Sequence, residues 1–137
     1  MRLEYRGEYP TELASPAAPI SVLLVEDEVL ISRLVAEWLC ERGFAVHEAA
    51  TADEALSYID NGGRVDVMFT DINLPGAMNG AELAQRARMR RPELPIVYAS
   101  GRYGSADFAG RVPHSVFVSK PYDPEAVCTL LARLTAN

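Results

Sequence analysis

The sequence predicts an α/β domain: one parallel sheet with helices on both faces. Two observations carry that expectation. Short, nearly continuous apolar runs alternate with stretches of helical periodicity along most of the chain. The acidic residues and the chain's single lysine fall just after the apolar runs, where open parallel sheets collect their chemistry.

Each element follows in order. Ile20 to Val25 is an apolar run suited to a strand buried on both faces. Leu30, Ile31, Leu34, Val35, Trp38 and Leu39 recur at helical spacing, so core packing is the expected role of Trp38, and Gly43 marks the stop. Phe44 to Glu48 is a second strand. Thr51-Ala52-Asp53-Glu54 has the form of a capping box, and Ala55, Leu56 and Ile59 continue its helix to Gly62-Gly63. Val65 to Thr70 is a third strand. Asn79-Gly80 opens a helix that Pro92 ends. Ile96 to Ala99 and Ser115 to Val118 are the fourth and fifth strands. Asp123-Pro124-Glu125 begins the last helix with a cap, a first-turn proline and a first-turn acid. Between the fourth and fifth strands, residues 102 to 114 hold Gly104, Gly110 and Pro113 and few large apolar side chains, so the helix expected there is weak or short. Residues 1 to 19, with three prolines, read as a flexible lead-in, and residues 20 to 137 as one domain.

Composition narrows the function. The chain has 137 residues and a net charge of −6, a poor balance for gripping nucleic acid phosphates. The run Arg86, Arg88, Arg90 and Arg91 reads as a solvated face near a helix C-terminus, where cations suit the helix dipole. No apolar stretch approaches the roughly 20 residues that span a bilayer, and no secretory leader is evident, which points to the cytoplasm. Cys40 and Cys128 lack metal-binding spacing and read as reduced, largely buried thiols; His47 and His114 read as structural or surface residues.

At the predicted strand ends stand Glu26, Asp27 and Glu28, then Asp71, Ser100 and Lys120. Several carboxylates on one rim repel one another, and a hard divalent cation relieves that repulsion. Mg²⁺ prefers oxygen ligands and commonly accompanies phosphoryl groups. A cation beside a reactive carboxylate suggests phosphoryl transfer to it, with Lys120 neutralising phosphoryl oxygens and the Ser100 hydroxyl donating to one of them.

The set VEDE (25 to 28), TDINLPG (70 to 76), YAS (98 to 100) and SKP (119 to 121) resembles the receiver domain of two-component response regulators, over about residues 20 to 135. The resemblance implies a flavodoxin-like (βα)5 fold with a doubly wound, five-stranded parallel sheet. It implies that Asp71 is the phosphoacceptor and that Glu26 and Asp27, with Asp71 and the backbone carbonyl of Asn73, hold Mg²⁺. Ser100 and Lys120 would contact the phosphoryl group, Phe117 would be an aromatic switch residue, and the Lys120–Pro121 bond would be cis. The implied protein is a single-domain signalling module rather than an enzyme. It would take phosphate from a sensor histidine kinase or a phosphotransfer protein, without nucleic acid or membrane as partner. Two departures stand out. LPGAMNG is one residue longer than the common LPGMDG loop, and PIVYASGR resembles a PFxFATGY-type subgroup of stand-alone receivers with a poorly formed fourth helix.

Two other classes fit less well. A haloacid-dehalogenase-type phosphatase needs a DxD pattern after its first strand, and a flavin site needs a hydroxyl- and glycine-rich loop there; this chain has Glu-Asp-Glu. A receiver that never accepts phosphate is at odds with the intact residue set.

Overall fold

The computed structural model describes residues 18–101 and 110–136. Residues 1–17 of the expected lead-in lie outside the described residues, as does most of the weak helix expected between the last two strands. The elements are β1 (Ser21–Val25), α1 (Val29–Glu41), β2 (Ala45–Ala49), α2 (Ala52–Asp60), β3 (Val67–Asp71), α3 (Gly80–Arg90), β4 (Ile96–Ser100), β5 (Ser115–Ser119) and α4 (Pro124–Thr135). All strand pairs are parallel, in the order β2-β1-β3-β4-β5. This is the flavodoxin-like order, with the chain reversing direction across the sheet between β1 and β3.

The apolar runs are buried on both faces because alternate side chains point to opposite sides. Leu23, Met68, Ile96 and Tyr98 pack with Leu56 and Ile59 of α2 and Leu83 and Ala84 of α3. Val22, Leu24, Phe69 and Val97 pack with Val35 and Leu39 of α1 and Val127 and Leu131 of α4. The expected caps form. Thr51 accepts from the Glu54 amide, Asn79 from Glu82 and Asp123 from Ala126, which satisfies first-turn N–H groups that lack helical partners. At Gly43 (φ +93°) the chain turns out of α1, with the Phe44 amide donating to the Leu39 carbonyl.

Four expectations need correction. Leu30, Ile31 and Leu34 do not face the core: they are 85%, 37% and 60% exposed, and α1 buries Ser32, Val35, Ala36 and Leu39 instead. The apolar face of α1 is wider than the strip the sheet covers, and Trp38 at its border is only partly buried. Cys40 is exposed, while Cys128 is buried. The arginines of α3 are not simply solvated. Arg86 pairs with Glu82, Arg90 with Asp60, Arg91 donates to the Gly63 carbonyl, and Arg88 donates to three carbonyls. Finally, β2, β3, β4 and β5 each end one residue later than expected, so Ala49, Asp71, Ser100 and Ser119 close their strands.

Candidate functional site

The carboxyl ends of β1, β3 and β5 meet at one rim. Glu26 follows β1 directly, and its amide donates to the Ala49 carbonyl, extending the β1–β2 ladder past the last strand residue. Asp71 closes β3, and its backbone is held in register by Ala99 of β4. Lys120 follows β5, and its amide donates to the Ser100 carbonyl. Backbone pairing alone therefore brings the three side chains to one place. The Lys120 ammonium lies 3.2 Å from Asp71 Oδ2 and 3.4 Å from Glu26 Oε1. Glu26 is 5% exposed and takes a second bond from the Glu28 amide. Asp27, exposed at the mouth, completes a group of three carboxylates whose oxygens lie within 4.8 Å of one another.

The electrostatics follow from this crowding. Burial raises the Asp71 carboxyl above its ordinary range, with Lys120 opposing and Asp27 adding to the rise. Burial also raises Glu26, offset in part by its bond from the Glu28 amide, with Asp71 raising it further. For Lys120 burial pulls downward, but Asp71 and Glu26 together outweigh it and the ammonium is held more firmly. Among the described residues, one ammonium thus serves the buried Glu26 and the half-buried Asp71, with Asp27 as a third carboxylate beside them. That donor set suits a hard divalent cation, and the oxygens are close enough to share one.

The other expected residues sit nearby in different settings. Ser100 is buried at the end of β4, next to Ala99, which pairs with Asp71. Phe117 is half-buried, opposite Tyr98 on the α2–α3 face of the sheet. Asn73 is exposed in the loop after β3. The Lys120–Pro121 peptide is cis, as the resemblance implies.

Two residues at the site were missed from sequence. Tyr122 packs its ring against Phe69 (centroids 5.4 Å) and Trp38 (6.3 Å) and helps line a small cavity that also touches Glu26 and Asp71. Gly80 begins α3 directly against the end of β3: its amide donates to the Ile72 carbonyl at 2.7 Å, and a Cβ there would lie 2.1 Å from the Asp71 carbonyl oxygen. The Asn-Gly pair at the helix start was the available signal. Beside the site, a groove lined by Ile31, Leu34 and Trp38 of α1 and by Pro121 and Tyr122 reaches Lys120 itself.

A five-stranded parallel sheet of this order, with clustered carboxylates and a lysine at its carboxyl rim, defines a receiver-type domain. The sequence pattern of the response regulator receiver domain matches residues 22–132, and the chain belongs to that family. It is 33% identical over 135 residues to the sensor kinase CckA of Brucella abortus, covering 96% of this chain and 14% of that protein. It is 31% identical to the nitrogen assimilation regulatory protein NtrX of Azorhizobium caulinodans, covering 82% of this chain and 25% of the relative. The chain thus spans a minor part of these relatives. Among solved structures, a response regulator receiver protein from Sinorhizobium medicae superposes with a TM-score of 0.79 at 28% identity, covering 85% of this chain and 94% of that one. The chemotaxis protein CheY4 of Vibrio cholerae gives 0.77 at 29% identity, covering 85% and 99%. Receiver domains are signalling modules that bind Mg²⁺ at an acidic pocket and interact with histidine kinases or phosphotransfer proteins. Among the described residues no helix is long and apolar enough to cross a membrane.

Proposed function

We propose that this chain accepts a phosphoryl group on Asp71 from a phosphohistidine donor and signals through a consequent change in its protein contacts. The observation that carries the reading is the shared ammonium: Lys120 bonds both Asp71 and Glu26, with Asp27 completing the acidic group. An Asp71 carboxylate oxygen attacks phosphorus, the phosphorus–nitrogen bond to the donor imidazole breaks, and the imidazole nitrogen regains its electron pair. The product is an acyl phosphate. Mg²⁺ would be held by Glu26, Asp27, Asp71 and the Asn73 carbonyl, and when bound it would neutralise phosphoryl charge. Lys120 follows the charge from carboxylate to phosphoryl oxygen, and the Ser100 hydroxyl donates to a second oxygen. Both groups start at the rim where the charge appears. The chain's only catalysis is of its own phosphorylation and dephosphorylation.

The donor protein docks on the apolar side of α1. That groove runs into Lys120, so a helix seated on Ile31 and Leu34 lies beside the acceptor. The test is incubation with Mg²⁺ and a small acyl phosphate, read by intact mass. A single base-labile phosphoryl adduct is expected, absent in Asp71→Asn and strongly reduced in Lys120→Arg. The latter keeps the charge but replaces a compact ammonium with a planar fork. Equal labelling of Asp71→Asn would refute the assignment.

A further inference from the structure

Two spaces meet at the rim. A small cavity of about 10 Å³ touches Glu26 and Asp71 and is bounded by apolar residues that include Phe69 and Ala99. That is barely the room one water needs. The groove along α1 is far larger, about 510 Å³, and runs past Leu34 and Trp38 to Lys120. Among the described residues Tyr122 alone lines both.

The Tyr122 ring stands between the two spaces. Its centroid lies 5.4 Å from that of Phe69, on the wall of the cavity, and 6.3 Å from that of Trp38, on the wall of the groove. The first pair is tilted by 55° and the second is edge-on at 74°, arrangements that the quadrupoles of aromatic rings favour. Phe69 stands two residues before Asp71 on β3, so their side chains share one face of the strand. Tyr122 itself stands two residues after Lys120. One ring is therefore packed on the strand that carries Asp71 and linked through a single residue to the ammonium that Asp71 bonds. Burial raises the Tyr122 hydroxyl above its ordinary range, with Lys120 opposing and Glu26 and Asp71 adding to the rise, so the side chain is a neutral phenol and brings no charge to the rim.

We propose that Tyr122 is a positioning residue: its ring keeps the water of the groove from Glu26 and Asp71 and so fixes the Asp71 carboxylate against Lys120 for transfer. The proposal rests on the reading of Asp71 as phosphoacceptor. Without the ring the cavity and the groove become one space. Water then competes with the ammonium for the carboxylate oxygens, and the ion pairs weaken as the local dielectric rises. Asp71 is free to turn from Lys120, and the attacking oxygen loses its fixed place.

The test uses the full chain and two readouts. Lys120 is the only lysine, so lysine-selective ¹⁵N labelling gives one side-chain ammonium signal, whose hydrogen exchange with solvent reports how firmly the ammonium is held. Labelling by a small acyl phosphate with Mg²⁺, read by intact mass, gives the transfer rate. Tyr122→Leu stays apolar but lacks the planar wall. Its ammonium should exchange faster than in wild type, and its maximal labelling rate should fall by about 10- to 100-fold, the scale of a misplaced reacting group. Tyr122→Phe keeps the ring without the hydroxyl and should rescue both readouts. A merely structural ring would lower Tm in Tyr122→Leu and leave ammonium exchange and labelling rate as in wild type, which overturns the proposal. A rate lost without faster ammonium exchange overturns it too, as does a Tyr122→Phe variant that behaves like Tyr122→Leu. A wild-type ammonium that exchanges as fast as free lysine overturns it without any variant. A wild type that takes no phosphoryl group overturns the phosphoacceptor reading, and this proposal with it, whatever the ammonium signal does.

Discussion

Replacing Gly80 with alanine tests whether the start of α3 positions Asp71, the proposed acceptor. The new Cβ would lie 2.1 Å from the Asp71 carbonyl oxygen, 2.9 Å from Ile72 Cα and 3.0 Å from the Asp71 carbonyl carbon. Close carbon–oxygen contacts in proteins are about 3.3 Å or more, so helix or strand must give by roughly 1.2 Å. All three obstacles are backbone atoms, and no side-chain rotation relieves them. Overpacking of this kind costs about 1 to 3 kcal/mol. Alanine's better helix propensity returns at most about 1 kcal/mol. With the full propensity gain the net loss reaches up to about 2 kcal/mol, which corresponds to a fall in Tm of up to about 7 °C for a chain of this length. The functional effect should be larger, since misplacing a reacting group by about 1 Å can cost on the order of 10²-fold in rate. Thermal melts and a time course of labelling by acyl phosphate measure both. A variant with unchanged Tm and unchanged labelling rate would refute the claim that this close approach sets the acceptor's position.

Three further outcomes are expected. Asp27→Ala should lose Mg²⁺-dependent labelling while keeping the wild-type circular dichroism spectrum, because Asp27 is exposed and supports no packing; labelling at the normal rate would remove it from the metal site. Asp71→Asn in excess chelator should melt above wild type near neutral pH. Burial lifts the Asp71 carboxyl above its ordinary value, so its ionised form costs stability that appears as pH rises through the raised value and is absent when the group is protonated. The gap should therefore close on acidification to about pH 3, and a wild type more stable than the variant at neutral pH would contradict the sign. Leu34→Glu should slow transfer from a phosphohistidine protein but not labelling by a small acyl phosphate. Leu34 is 60% exposed, and substitutions at such surface positions usually change stability by no more than about 0.5 kcal/mol. Equal loss with both donors would mean the groove serves the site and not the docking.

The sheet was legible because β1, β3 and β4 are buried on both faces and so must read as apolar runs. The rim was legible because parallel pairing carries every strand end to the same side, so Glu26, Asp27, Asp71, Ser100 and Lys120 could be gathered from sequence order alone. What escaped depends on contacts that periodicity does not encode. The spacing of Leu30, Ile31 and Leu34 defines an apolar face but not how much of it the sheet covers. Arg88 looked like one more helix-terminal cation, because its partners are main-chain carbonyls, which no side-chain pattern announces. Tyr122 gains its place from the rings of Phe69 and Trp38, far apart in sequence. One-residue errors at the ends of β3 and β4 arose because Asp71 and Ser100 carry polar side chains on backbone that still pairs as strand.

Twelve of the thirteen basic side chains are arginine, and the one primary amine among the side chains is the ammonium held between Asp71 and Glu26. Amine-selective acylation of this protein consequently has a single internal target, and it lies against Asp71. An acyl group on Lys120 removes the positive charge that two buried carboxylates require, so the chemistry that marks the residue also disables the site. While the ammonium keeps both bonds its lone pair is withheld, which makes the rate of Lys120 acylation a direct gauge of how tightly the unphosphorylated rim is closed.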